Sequence, residues 1–307
     1  MPMPPPPPER AHTLHRPDGA KIAYRVAPAA TAVRDPALVL LHGLASNLSR
    51  WTEFVDHSAL RGQRTLIRLD LRGHGASTGR GAIGLAVWVE DVAAMLDLEG
   101  HPRAILIGHS LGAQVALHFA RQFPDRTAGL VLIDPVFRQA LRGRWRWLAA
   151  SAPLLRVAAR CVLGLNALGF RRRHLEPLDL FELDRLARQA LASPAAEAAF
   201  VRQYSSARAD LRHTRTATYL QDLAEMFRPP PDPATIHQPV LALLSGGATF
   251  ADAAAMRSVL ARLPHATLAV IDCQHWPLTE RPAEVRAAIE SWHRVVDGQI
   301  GFNEGSP

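Results

Sequence analysis

Gly108-His109-Ser110-Leu111-Gly112 is the stretch whose reading decides the fold. It lies between a short apolar run, Arg103-Ala-Ile-Leu-Ile107, and a helical pattern from Leu111 to Phe123. A strand that turns at once into a helix puts Ser110 on a sharp bend. The bend needs small flanking residues, because the serine backbone is strained and neighbouring side chains would collide. It also lifts the hydroxyl clear of the sheet edge and aims the amides at the helix start toward developing negative charge. Gly and Ser build ordinary turns too. Here the strand before and the helix after are both readable, so Ser110 reads as a nucleophile.

The same rhythm extends to either side. Upstream, Ala11-His-Thr-Leu-His15 and Lys21-Ile-Ala-Tyr-Arg-Val26 flank Arg16-Pro-Asp-Gly19, a turn-forming set that predicts a hairpin. Ala37-Leu-Val-Leu-Leu41 is a continuous apolar run, suited to a strand buried on both faces, and it ends in His42-Gly43-Leu44. Thr65-Leu-Ile-Arg-Leu-Asp70 is a further strand, followed by a loop containing Gly73-His74-Gly75 and a helix over Leu85–Leu98. Downstream, Ala128-Gly-Leu-Val-Leu-Ile133 runs into Asp134-Pro135. Short β runs alternating with helices predict a mostly parallel sheet covered on both sides. The alternation stops from Val136 to Arg228, where the pattern is helical and Arg-rich. It resumes after Arg228-Pro-Pro-Pro-Asp-Pro233 with Val240–Leu244, a helix near Ala251–Leu263, Thr267–Ile271 and a last helix from Pro282 to Val296.

At 307 residues the chain can bury a large core, and 48% hydrophobic with 21% charged residues is ordinary for a globular protein. The net charge of +7 is carried almost wholly by arginine, since Lys21 is the single lysine. No basic tract interleaved with aromatics marks a nucleic-acid groove, so no nucleic-acid partner is expected. Cys161 and Cys273 form neither a disulfide framework nor a metal-ligand spacing, which fits a reduced, cytoplasmic compartment. No HExxH-type helix spacing supports a metal site. The proline-rich start lacks the pattern of a secretory signal and is expected to be disordered.

Taken together, strand-His42-Gly43, Asp70 with Gly73-His74-Gly75, the Ser110 pentapeptide, Asp134-Pro135, a helical insert and the late His275 resemble the α/β-hydrolase superfamily over nearly the whole chain. The resemblance implies an α/β fold with an eight-stranded, mostly parallel sheet flanked by helices and an inserted helical cap. The expected divisions are a disordered lead at 1–10, a core at 11–135 and 234–297, a cap at 136–233 and a flexible tail at 298–307. It further implies a nucleophile, acid and base in that chain order, with no organic cofactor.

In that frame His275, within Cys273-Gln-His-Trp-Pro277 after the last strand, stands where the family has its base. An imidazole there can take the Ser110 proton and return it to the leaving group. The acid has two candidates. The family most often carries it after the seventh strand, but Ser245-Gly-Gly-Ala-Thr-Phe250 has no carboxylate until Asp252, and Thr249 falls about where it is expected. Some members carry it instead at the end of the sixth strand, which here is Asp134, and this position is favoured over Asp252. Leu44 and Leu111 are expected, from the family pattern, to supply the two backbone amides of an oxyanion hole and to line the pocket floor with their side chains. His109 is read as an elbow filler and His42 as a brace for its loop.

Gly79-Arg-Gly-Ala-Ile-Gly84 matches the dinucleotide pattern GxGxxG, but its strand ends about nine residues too early and no acidic partner follows, so no nucleotide is expected. In the insert, Arg142, Arg146, Arg156 and Arg160 fall near one helical face. Trp145, Trp147, Leu154, Leu155, Leu163 and Leu168 supply apolar surface, and Pro153 is expected to divide two helices. The insert is read first as a cap over the active site, and second as a basic amphipathic surface for weak contact with an anionic membrane. The expected activity is cleavage of a small, largely apolar carboxylic ester, lactone or related acyl compound. Thioesterase, carbon–carbon hydrolase, acyltransferase and cofactor-free haloperoxidase chemistry, or a ligand receptor retaining the fold, stand as alternatives. A serine at the elbow speaks against haloalkane dehalogenase and epoxide hydrolase chemistry, which use aspartate there.

Overall fold

The computed structural model describes residues 6–30, 36–79, 83–170, 172, 174–190, 194–247 and 251–303. The strands are β1 (Arg10–His15), β2 (Lys21–Ala27), β3 (Ala37–Leu41), β4 (Leu66–Leu69), β5 (Ala104–His109), β6 (Thr127–Ile133), β7 (Val240–Ser245) and β8 (Ala266–Ile271). The helices of the α/β part are α1 (Thr52–His57), α2 (Leu85–Leu98) and α3 (Leu111–Gln122). Between β6 and β7 lie α4 (Gly143–Ala150), α5 (Ala152–Ala167), α6 (Leu180–Ala190), α7 (Pro194–Tyr204), α8 (Ala207–His213) and α9 (Thr216–Met226). Then come α10 (Ala253–Leu260), α11 (Pro277–Glu280) and α12 (Pro282–Asn303).

The eight strands form one sheet in the order β1-β2-β4-β3-β5-β6-β7-β8. The β1–β2 and β2–β4 pairs are antiparallel and the remaining pairs parallel. The central runs are apolar throughout because both faces are covered, and alternate residues serve opposite cores. Val39, Leu41, Leu106, Leu130 and Leu132 face a core closed by α2, α3 and α10. Leu38, Leu40, Ile105, Ile107, Val131 and Ile133 face a second core, closed by α1 and α12 through Phe54, Val285, Ile289 and Trp292. A one-residue slip of any central strand would exchange these two sets.

The β1–β2 turn forms at Arg16-Pro-Asp-Gly19, with Gly19 at φ +80° and the Asp18 carboxylate accepting from the Ala20 amide. Two chain-end expectations need correction. Glu9, within the stretch read as a disordered lead, makes a two-pronged pair with the buried Arg68 guanidinium at 2.7 and 2.6 Å, which anchors the chain just ahead of β1. The last helix runs to Asn303, past Val296 and into the stretch read as a flexible tail. The first, arginine-rich part of the insert is two helices, as expected, with the break two residues ahead of Pro153. The chain breaks at Ser151, Pro153 sits in the first turn of α5, and the axes of α4 and α5 are bent by 63°. No single helix among the described residues is long and apolar enough to cross a membrane.

Candidate active site

Ser110 adopts φ +53°, ψ −110°, a conformation rare for a residue with a side chain. Such strain costs of order 1–3 kcal/mol and persists only where the surroundings enforce it. Here the Ser110 amide donates to Ile133 O at 3.0 Å, joining the bend to β6. Both flanking glycines are required. A Cβ at Gly108 would lie 2.3 Å from the Gly112 carbonyl carbon, and one at Gly112 would lie 2.3 Å from Leu41 O. The bend is thus wedged between β3 and its own helix.

His275 comes from the loop after β8, and its Nε2 stands 3.1 Å from Ser110 Oγ. On the other side of the ring, Nδ1 bonds to Asp134 Oδ2. A carboxylate only accepts, so Nδ1 carries the proton and Nε2 presents its lone pair to the serine hydroxyl. Asp134 follows β6 at φ +41°, with its amide donating to Leu243 O at 2.7 Å. Its second oxygen, Oδ1, accepts from the Ser245 amide (3.0 Å) and the Ser245 hydroxyl (2.9 Å). All three side chains are buried. The structure therefore brings together Ser110, His275 and Asp134. It does not bring Asp252 there: that carboxylate caps α10 through the Ala255 amide at 2.7 Å and pairs with Arg142. Thr249 lies outside the described residues, as do Arg80, Gly81 and Ala82 of the GxGxxG stretch.

The other histidines hold the frame. His109 Nε2 faces the His275 carbonyl oxygen at 3.1 Å, and burial, with the neighbouring His275 and Arg50, pushes its pKa down to about 3. It stays neutral and donates, fixing the backbone of the His275 loop. His42 donates from Nδ1 to Gly43 O at 2.8 Å and accepts the Leu71 amide at Nε2 at 3.0 Å, so its loop is braced to the one after β4. Asp70 ties the same two loops, accepting from Leu48 N and Ala76 N at 2.7 Å each. Gly75 belongs to this joint, since a Cβ there would lie 2.2 Å from Asp70 Oδ2.

Just ahead of the tight turn at Ala45 (φ +50°) and at the start of α3, the backbone N–H groups of Leu44 and Leu111 have no acceptor among the described residues. Such unpaired amides can receive an anionic oxygen. The two side chains part company: Leu44 lines the cavity above Ser110, whereas Leu111 is fully buried in the core and does not form the pocket floor expected of it.

The space above Ser110, counted out into the solvent at its mouth, is about 720 Å³. Leu44, Val136, Leu141, Trp145, Met226, Phe227 and Trp276 give it apolar walls around Ser110 and His275. Arg50, Tyr204, Ser205, Asp210 and Tyr219 add polar groups to its lining that sequence patterns did not single out. Arg50 is buried and bonds to Asp184 and Thr279, and Asp184 in turn accepts from Tyr204 at 2.9 Å. These partners are up to 229 residues apart in the chain, so no local pattern announces them. Burial pushes Asp210 up to about 7, with the Tyr219 hydroxyl bonded to it. His74 meets the fully buried Asp222 of α9 at 2.9 Å, a second link between the α/β part and the helical lobe. Among the described residues no group of three or more His, Cys, Asp or Glu side chains is arranged to hold a metal ion.

An amide-braced serine, an imidazole oriented by a carboxylate and two free amides can together generate an alkoxide-like attacker and receive the charge it creates. The alpha/beta hydrolase fold family matches residues 36–282. The chain belongs to that family. It is 35% identical over 133 residues to an uncharacterized protein of Mycobacterium tuberculosis, covering 42% of this chain and 35% of that one. It is 36% identical over 101 residues to the lipase LipV of the same organism, covering 33% of this chain and 38% of the lipase. The chain thus spans about a third of the length of these curated relatives. A thermophilic esterase from Thermogutta terrifontis superposes with a TM-score of 0.68 at 21% identity, over 94% of this chain and 99% of the esterase, a likeness of fold.

Proposed function

We propose that this member of the family is a serine hydrolase that cleaves small, largely apolar carboxylic esters, lactones or related acyl compounds through an acyl-enzyme. The observation that carries the reading is the line from Asp134 Oδ2 through the His275 ring to Ser110 Oγ, 3.1 Å from Nε2, at the base of a mostly apolar cavity. Ser110 Oγ attacks the acyl carbon while His275 Nε2 takes its proton, and Asp134 offsets the charge of the imidazolium. The carbonyl oxygen, now anionic, accepts from the Leu44 and Leu111 amides. As the tetrahedral intermediate collapses, the bond to the leaving oxygen breaks and His275 protonates that oxygen. Water, deprotonated by the same ring, then attacks the acyl-enzyme and releases the acid and the serine hydroxyl.

The lining supports an apolar acyl or alcohol portion against Val136, Leu141, Trp145 and Phe227. A hydrogen-bonding substituent would be received at the Asp210–Tyr219 pair. A fluorophosphonate probe tests the activated serine: the wild-type protein should label and Ser110→Ala should not. Absence of labelling in the folded wild type would overturn the reading. A panel of esters, thioesters and lactones of varied acyl length then ranks the substrate class.

A further inference from the structure

The outward side of the α4–α5 pair combines exposed apolar side chains with exposed arginines. Seven of the twelve exposed large apolar side chains among the described residues lie between Trp147 and Phe170. Along α5, Ala152, Leu155, Ala159 and Val162 turn inward at helical spacing and rest against α9. The opposite side carries Leu154, Val157, Cys161, Leu165 and Leu168, again at intervals of three and four, and all five are exposed. Trp147 is 80% exposed on α4, and Leu168 and Phe170 are 75% and 74% exposed at the far end of α5. Scattered single exposures are ordinary on a protein surface; a stripe in helical register is not.

Charge indicates what covers the stripe. From Pro135 to Leu175 the sequence has nine arginines and no aspartate or glutamate. Arg146 and Arg160 are exposed beside the stripe and pair with no carboxylate among the described residues. A protein partner or a second copy would need matching acidic groups. A sheet of anionic headgroups over acyl chains supplies both halves of the match: guanidinium groups meet phosphate, and the leucines enter the acyl boundary. At 16 residues α5 is about 24 Å long, shorter than the roughly 30 Å hydrocarbon core, and its inner side is occupied by α9. Together with the 63° bend, this geometry suits lying on a bilayer and not crossing one.

We infer that the outer face of α4–α5 docks this protein on anionic lipid surfaces. The same two-helix unit then faces both ways: Trp145 lines the cavity over Ser110, and Trp147, two residues on, points outward. Apolar substrates dissolved in a bilayer would meet the lobe next to the cavity they are to enter.

The inference is independent of catalysis and is tested on Ser110→Ala protein. Vesicles of phosphatidylcholine with 30% phosphatidylglycerol (about that fraction suffices for a marked surface potential) are compared by co-sedimentation with pure phosphatidylcholine, at low and high salt. Binding should favour the anionic vesicles and fall with salt. Arg146→Gln with Arg160→Gln should weaken it about twenty-five-fold, from about fivefold per arginine. Leu154→Asn with Leu165→Asn and Leu168→Asn should abolish what survives at high salt. In the wild-type background both sets should leave hydrolysis of a water-soluble ester and the thermal midpoint unchanged. Failure to bind anionic vesicles at low salt would overturn the proposal. So would binding indifferent to both variant sets, or self-association that the leucine variants remove in place of vesicle binding.

Discussion

Asp134→Asn is the substitution for which the geometry gives the sharpest expectation. Oδ1 of Asp134 accepts two hydrogen bonds from Ser245, one from a backbone amide that has no rotational freedom. An amide side chain in the same place must keep its oxygen on that side. Its NH2 group then faces His275 Nδ1 and can only donate to it. The ring is pushed into the tautomer with the proton on Nε2, 3.1 Å from Ser110 Oγ, where it can no longer accept the serine proton. The carboxylate charge that steadies the imidazolium is lost as well. Wrong tautomer and lost charge together cost roughly 10⁴-fold where such a triad operates. At about 1.4 kcal/mol per decade this is ~5–6 kcal/mol of barrier. The assay is single-turnover acylation with a chromogenic ester, with circular dichroism and a thermal melt to verify folding. Asp252→Asn serves as the control, because that carboxylate is spent on a helix cap and on Arg142. Its acylation rate should stay within about twofold and its stability should be nearly unchanged, because an asparagine oxygen can still accept from the Ala255 amide. If Asp134→Asn kept more than a tenth of the rate, or if only Asp252→Asn collapsed it, the assignment of the acid would be refuted.

Three further expectations concern the frame. Asp184→Ala strands the Arg50 guanidinium in a pair whose side chains are only 6% and 5% exposed, and should cost ~3–5 kcal/mol in urea denaturation; Asp56→Ala, from the more exposed pair with Arg61, should cost under ~1 kcal/mol. Equal effects would show that the buried pair does not fasten the lobe. Gly112→Ala drives a Cβ into the Leu41 carbonyl and should lower stability by ~3 kcal/mol or more, whereas Gly164→Ala, in α5 with nothing within 4 Å, should be neutral or stabilising by up to ~1 kcal/mol. Asp210 has its folded pKa raised to about 7 by burial, so the folded state holds that proton more tightly than the unfolded chain. Its carboxyl therefore erodes stability as pH rises from about 4 to 7 and no further above that. Asp210→Asn keeps an acceptor for Tyr219 and should raise the melting temperature at pH 8 but not at pH 4; an equal change at both would contradict a buried, titrating carboxyl.

Much of the α/β part was legible because its signals are local. Ala37–Leu41 matches β3 residue for residue, and Leu85–Leu98 matches α2, since an unbroken apolar run and a 3.6-residue period are each read within one window. Ser110 was legible for the same reason, as strand, glycine, serine, glycine and helix are contiguous. The acid was harder. Two loops, after β6 and after β7, each approach the base, and no local feature of Asp134 or Asp252 decides between them. What separates them in the fold is the Ser245 backbone amide, from a strand neighbouring β6, which holds Asp134 from 111 positions further along the chain. The lobe was read as helical but not in its parts: its docking rests on Arg50–Asp184 and His74–Asp222, contacts between residues more than a hundred positions apart. The chain-end corrections have a similar origin. Glu9 is ordered by a partner 59 residues away, not by anything in the prolines around it.

The placement of Asp134 at the root of the helical lobe has a consequence for anyone who would exchange that lobe. The first inserted residues follow the carboxylate after a single proline, and Val136 already walls the cavity while its carbonyl accepts from Gln114. Transplanting a relative's lobe at this junction would disturb, in one cut, both the carboxylate bonded to His275 and a wall of the cavity above Ser110. The safer seam lies beyond the Phe137–Leu141 turn on one side and ahead of β7 on the other, leaving the proline hinge native. The shape of the cavity is thus best altered from within the lobe and not by trading it whole.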